Sequence, residues 1–200
     1  MIKLPPFGRG QRIGLFGGSF NPAHTGHVMV ALYALKRLQL DWVWWLVSPQ
    51  NPLKDVRDTG DYDERLAYTR KLARHPRFVV TDIERQMKSR YTADTLEQLM
   101  RYRKSARFVW IMGADSLKDL HHWHHWLDII DDVTLAVLAR PGYSIRALGS
   151  KAAVRLARKR ASGDRPASIL KKRPPAWDFI TMPLRSESST AIRKQRNRSP

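Results

Sequence analysis

The sequence predicts an α/β fold built on a doubly wound parallel sheet, on three observations. Apolar runs of strand length alternate with helix-like stretches along most of the 200 residues. Such alternation implies parallel strands joined by right-handed crossovers. The first run, Ile13 to Phe16, turns through Gly17-Gly18 toward a helix-like run, Val28 to Leu40. A strand that turns through glycines into a helix start brings backbone N–H groups to bear on an anion. Finally, four turn-like stretches (Gly17–His27, Pro49–Lys54, Gly113–Asp115 and Arg140–Gly142) each follow a predicted strand. In a parallel sheet they share the carboxyl edge, where ligands bind.

The elements follow in order. Arg12 to Phe16 is predicted as the first strand. Gly26 to Leu38 is predicted as a helix, with Val28, Leu32, Leu35 and Leu38 at helical spacing. Trp42 to Val47 reads as a buried strand and Ser48–Pro52 as its turn. Tyr62 to Arg74 reads as a helix capped by Asp61, with Glu64 three residues on. Phe78 to Val80 is a short strand, Thr92 to Tyr102 a helix carrying Leu96, Leu99 and Met100, and Phe108 to Met112 a buried strand closing on Gly113-Ala114-Asp115. Trp126 to Ile130 belongs to a short helix and Val133 to Ala139 to the next strand. Residues 144–175 form a basic, variable segment with few large apolar side chains. Within it Lys151 to Ala161 reads as a short cationic helix and Asp164 to Pro175 as a loop. Phe179-Ile180 reads as a last strand leading to a final helix at Ser188, with a frayed tail over 194–200. These elements make one domain over residues 1–200.

Bulk properties narrow the function classes. The apolar share, 42%, is ordinary for a globular chain. With no cysteine there is neither a disulfide framework nor a thiolate metal site, which suits a cytoplasmic protein. No run approaches the roughly eighteen apolar residues of a membrane span, and the first residues lack the apolar core of a signal peptide. The net charge of +18 is uneven: residues 151–200 carry +11 and the first 150 carry +7. Such a field attracts nucleotides and nucleic acid.

Gly18-Ser19-Phe20-Asn21-Pro22-Ala23-His24-Thr25-Gly26-His27 resembles the nucleotidyltransferase signature with an HxGH core. Ser188-Ser189-Thr190-Ala191-Ile192-Arg193 resembles the second signature of that superfamily. Between them, Tyr91-Thr92-Ala93-Asp94-Thr95-Leu96, Gly113-Ala114-Asp115 and Trp123 resemble bacterial nicotinate-nucleotide adenylyltransferases. The resemblance covers most of residues 10–195. It implies a Rossmann-like nucleotidyltransferase fold and a reaction between ATP and nicotinate mononucleotide that yields deamido-NAD and pyrophosphate, with Mg2+ accompanying ATP.

Adenylyl transfer is an in-line displacement at the α-phosphorus by a phosphate that is already ionised. The site therefore needs no general base; it must hold two anions together and stabilise departing pyrophosphate. Imidazole, guanidinium, ammonium, hydroxyl and backbone N–H groups suit that work. The resemblance assigns His27 to the α-phosphate and His24 to the neighbouring phosphates. Their three-residue spacing puts both on one helix face. Gly17, Gly18, Ser19 and Phe20 line the same anion, and a zinc reading of the histidine pair lacks a third nearby ligand. Ser188, Ser189, Thr190 and Arg193 make a β/γ-phosphate clamp of hydroxyls and a guanidinium fork. Lys54 matches a basic residue of the family loop, with Leu53 where a histidine often stands. Asn21, Thr92 and Trp123 fall to the mononucleotide, with Trp123 stacking on the pyridine ring. Gly113 and Asp115 fall to the nucleotide, Asp115 at the ribose hydroxyls.

Two other readings fit parts of the chain. One is a related adenylyl- or cytidylyltransferase acting on nicotinamide mononucleotide or phosphopantetheine; Thr92–Leu96 with Trp123 argues against phosphopantetheine. The other is a non-catalytic, basic RNA-binding protein, supported by the +11 tail. No RNA-binding motif accompanies that charge, so nucleic acid enters as a secondary contact of Lys151–Arg160.

Overall fold

Short runs of aromatic and branched residues supply six parallel strands in one sheet, ordered β3-β2-β1-β4-β5-β6. The computed structural model describes residues 2–49, 59–102, 104–139, 144–161, 165–183, 189, 192 and 193. The strands are β1 (Gln11–Gly18), β2 (Trp42–Val47), β3 (Phe78–Thr81), β4 (Ala106–Gly113), β5 (Thr134–Leu138) and β6 (Trp177–Ile180). The helices are α1 (Thr25–Arg37), α2 (Tyr62–Leu72), α3 (Ile83–Gln86), α4 (Thr92–Met100), α5 (Ala114–Asp119), α6 (Trp126–Asp132), α7 (Ser144–Leu148) and α8 (Lys151–Arg155). This is the doubly wound sheet that the alternation predicts. The strand order reverses between β1 and β4, which opens a crevice at their carboxyl ends.

Period-two alternation builds the two faces. Ile13, Leu15, Trp44, Leu46, Trp110 and Leu135 point into one layer, with Leu96, Leu99, Leu117 and Ile129 from the helices above it. Phe16, Val43, Trp45, Val109 and Ile111 point into the other, against Val30, Ala31, Ala34 and Leu35 of α1. Trp44, Trp45, Trp110 and Trp177 are fully buried. A buried tryptophan removes about 200 Å² from water, roughly 5 kcal/mol of transfer free energy before entropy is charged against it. These four are core, which separates them from Trp123, half-buried at the carboxyl edge.

Several boundaries differ from expectation. Gly17 and Gly18 continue β1 rather than opening the loop, pairing with Leu46 and Val47 of β2. Gly17 lies over Trp110: a Cβ there would overlap the indole. The short helix α3 was not anticipated, because four residues are too few to show a period. The predicted helix Lys151–Ala161 is only Lys151–Arg155, started by Ser150, whose Oγ accepts from Ala153 N. A 3-10 turn, Ala157–Lys159, follows, and Arg160 then bridges to Trp177. The segment read as a loop, Asp164 to Pro175, contains a 3-10 helix, Pro166–Lys171, that buries Ile169 and Leu170 in the α1 layer. Small side chains made this region look uncommitted. Ala147, Ala152 and Ala153 are buried because alanine lets α7 and α8 approach α5 closely. Gln50–Lys54, Arg140-Pro141-Gly142, Ser188, Thr190 and the tail 194–200 lie outside the described residues.

Candidate active site

The loop between β1 and α1 is the centre of the site. Phe20 takes a left-handed backbone (φ 45°) and the Asn21–Pro22 peptide is cis. His24, with extended backbone, is the N-cap of α1, and His27 stands three residues into the helix. The His24 N–H donates to His27 Nδ1 at 3.2 Å, and the two rings lie 3.8 Å apart. An Nδ1 that accepts leaves the neutral imidazole proton on Nε2, so His27 presents Nε2–H as a donor. The Phe20 ring packs edge-on against His27 at 5.1 Å and fixes its plane. His24 is buried and His27 half-buried, and both stand at the N-terminal turn of a thirteen-residue helix, whose dipole favours an anion there.

The far end of the chain closes on this loop. Ser189 Oγ donates to Pro22 O at 2.9 Å, and Arg193 Nη1 donates to Asn21 O at 2.6 Å. These contacts span 167 and 172 positions of sequence. Both predicted signatures therefore meet at one point. The end of the neighbouring strand β4 adjoins this loop. Gly113 caps α5, and Asp115 stands in its first turn, half-buried, rather than ending the strand.

The residues read as mononucleotide contacts lie to one side. Thr92 opens α4 behind Tyr91. The Tyr91 ring stacks on His124 at 4.2 Å, which brings the start of α4 beside Trp123. Trp123 meets Trp110 edge-on at 6.5 Å, and Trp110 lies under Gly17. Trp123 and the β1–α1 loop thus share one aromatic floor. The histidines around Trp123 serve local contacts: His125 Nδ1 lies 2.9 Å from Asp128, and the His121 and His122 rings are 3.9 Å apart. Among the described residues no three His, Asp or Glu side chains group as a metal site. Lys54, Ser188 and Thr190 lie outside the described residues.

Two buried residues escaped the sequence reading. Arg65 of α2, 5% exposed, donates among the described residues only to backbone carbonyls: Nε to Gly60 O at 2.9 Å, Nη1 to Ser19 O at 2.5 Å and Ser48 O at 2.9 Å, and Nη2 to Pro49 O at 2.8 Å. Burial lowers its pKa from the ordinary arginine value. Glu84, 6% exposed, is hydrogen-bonded by Thr95 and Ser48, and burial raises its carboxyl to about 7 against those two bonds. Arg65 had a signal: with Tyr62, Leu66, Thr69 and Leu72 it falls on the helical stripe where an apolar residue is expected. Glu84 had none, because α3 is too short to show a stripe.

Comparison with known proteins places this geometry. Residues 15–195 match the family model described as Cytidylyltransferase-like. A protein of Cereibacter sphaeroides named "Probable nicotinate-nucleotide adenylyltransferase" is 51% identical over 90% of this chain and 96% of its own. One of the same name from Methylorubrum extorquens is 50% identical over 92% and 99%. This chain belongs to the nicotinate-nucleotide adenylyltransferase family. A further family member, from Rhizobium meliloti, is 44% identical over 92% of this chain and 98% of its own. Among solved structures, a Plasmodium falciparum nicotinic acid mononucleotide adenylyltransferase complexed with NaAD superposes with a TM-score of 0.63. It covers 92% of this chain and 83% of that one at 18% identity, a likeness of fold. Membership gives the meeting of the two chain ends its context: within a family of nucleotidyltransferases, Ser189 and Arg193 land on the loop that carries both histidines.

Proposed function

We infer that the protein transfers the adenylyl group of ATP to nicotinate mononucleotide, releasing pyrophosphate and forming deamido-NAD for NAD synthesis. The observation that carries this reading is the docking of Ser189 and Arg193 onto Pro22 and Asn21. It gathers imidazole, hydroxyl and guanidinium groups around one glycine-bounded loop. Family membership with relatives of that name supports the same assignment.

A phosphate oxygen of the mononucleotide attacks the α-phosphorus of ATP, and the bond to the bridging oxygen of pyrophosphate breaks in line. The attacking oxygen is ionised at neutral pH, so no side chain removes a proton. His27 Nε2–H donates to the α-phosphate as its charge redistributes, and His24 serves the adjoining phosphate. Preformed donors of this kind are worth most in the transition state, because they need no reorganisation. Gly17, Gly18, Ser19 and Phe20 bring backbone to the triphosphate. Ser188, Ser189, Thr190 and Arg193 hold its β and γ groups, and Lys54 reaches the phosphates from the neighbouring loop. Gly113 and Asp115 serve the adenosine ribose. Asn21 and Thr92 take the mononucleotide, whose pyridine ring stacks on Trp123. Magnesium enters as part of the ATP substrate. The donors described at the loop are N–H, imidazole and hydroxyl groups, which suit the phosphate anion, and phosphate oxygens are the ligands that magnesium prefers. ATP supply makes the cytoplasm the place of reaction.

The test is pyrophosphate release by the purified protein with ATP and nicotinate mononucleotide, set against nicotinamide mononucleotide and phosphopantetheine. The acid is expected to be preferred by about tenfold or more in kcat/KM, the discrimination that one charged contact supplies. Equal rates, or none, overturn the assignment.

A further inference from the structure

We propose that Arg65 and Glu84 are positioning residues of one buried polar chain that holds the triphosphate loop and the pyridine side of the site in register. The inference rests on the functional reading above and deepens it. Arg65 ties three pieces of backbone together: Ser19 of the β1–α1 loop, Ser48-Pro49 at the end of β2, and Gly60 before α2. Ser48 N donates in turn to Gly18 O at 3.0 Å. The Ser48 side chain is hydrogen-bonded with Glu84, and Glu84 with Thr95. Thr95 Oγ1 lies 2.6 Å from Ser89 Oγ, and Ser89 Oγ donates to Tyr91 O at 2.9 Å. Tyr91 precedes Thr92 and stacks on His124. The chain thus begins at the phosphate loop and ends at the residues assigned to the mononucleotide.

Stability alone does not account for such a chain. A buried arginine whose partners among the described residues are carbonyls, and a buried glutamate held by hydroxyls, both cost desolvation. Well-packed apolar side chains of the same volume often leave a protein as stable or more so. Buried polar groups of this kind do fix geometry: each bond has a direction, and each carbonyl left without its donor is penalised. Arginine is specific to the role. Its planar fork reaches four carbonyls at once, whereas an ammonium carries three donors from one point. Two anionic reactants must meet within a fraction of an ångström for an in-line displacement, and this chain is what spans the two sides.

The test is steady-state kinetics with each substrate varied in turn, on Arg65→Lys, Thr95→Val, their double variant and Glu84→Gln, with folding checked by near-ultraviolet circular dichroism. Thr95→Val, on the pyridine side, is expected to raise the KM for ATP severalfold as well as that for the mononucleotide. Arg65→Lys, on the phosphate side, is expected to raise the mononucleotide KM likewise. The double variant's loss in kcat/KM is expected to fall short of the product of the single losses by about fivefold, the signature of coupled sites. Glu84→Gln keeps the shape but replaces one acceptor oxygen with a donor, and is expected to raise both KM values, by less than Thr95→Val does. Effects confined to the nearer substrate, or losses that simply multiply, overturn the proposal. If Arg65→Lys does not fold, Ser89→Ala with Thr95→Val carries the same comparison. If the wild type fails to turn over nicotinate mononucleotide, the functional reading falls. The chain is then read from amide exchange, where Thr95→Val is expected to speed exchange of Ser48 N–H by about tenfold. Unchanged exchange overturns the chain on its own.

Discussion

Glu84→Gln isolates one buried ionisation and predicts how stability varies with pH. The Glu84 carboxyl is 6% exposed, and burial raises its pKa from 4.5 to about 7. The folded protein therefore keeps this proton to a higher pH than the unfolded chain does. Between 4.5 and about 7 the native state binds more protons, so stability falls as pH rises and levels off above that range. At about 1.36 kcal/mol per pH unit, the gap amounts to about 3 kcal/mol. For a chain of this length that is roughly 6–12 °C in Tm. Glutamine keeps the shape and an acceptor oxygen and removes the ionisation. Urea denaturation of both proteins at about pH 4.5, 6 and 8 measures the effect. Titrations elsewhere, such as that of Asp82, whose pKa is lowered in part by the Gln86 and Arg85 contacts, are common to both proteins and cancel in the difference. The variant is expected to gain on the wild type by about 3 kcal/mol between the lowest and highest pH. A difference that stays flat across that range refutes the argument from burial.

Three further outcomes follow from the geometry. His27→Ala is expected to lower kcat by about 10²–10³, the cost of one transition-state donor, with the fold intact by circular dichroism; unchanged turnover removes His27 from the reaction. Trp123→Ala is expected to raise the mononucleotide KM about tenfold with little change in the KM for ATP, since a stacked aromatic contributes about 0.5–1.5 kcal/mol beyond its area. Equal effects on both substrates would assign Trp123 to packing instead. Gly17→Ala drives a Cβ into the buried Trp110 indole and is expected to cost about 1–3 kcal/mol by thermal denaturation. Gly17→Ala with Trp110→Phe is expected to recover part of that loss, and a tolerated single substitution contradicts the close approach.

The strands were legible because each is a dense apolar run between turn residues. Trp42 to Val47 is the clearest, and its predicted and observed bounds coincide. Asp61 was legible as a cap for the same local reason, and its carboxyl accepts from Glu64 N at 3.0 Å. The loop histidines and the terminal Ser189 and Arg193 were readable as motifs, and the structure brings them to the same few residues, Asn21 to His27. Tertiary partners were not legible. The stripe position of Arg65 marks it as turned inward, but not that the carbonyls of Ser19, Ser48, Pro49 and Gly60 surround it. The 144–175 segment misled for a related reason. Alanines that bury by close approach, and a 3-10 turn that buries Ile169, leave no long period in the sequence.

The contacts from Ser189 and Arg193 to Pro22 and Asn21 also set an order in time. A ribosome delivers the loop at Asn21 well before its partners, which come only after β6 has ended at Ile180. A polypeptide released short of Ser189 carries all six described strands and neither of those contacts. On the function proposed above, such a fragment lacks Ser189 and Arg193, two of the groups assigned to the triphosphate.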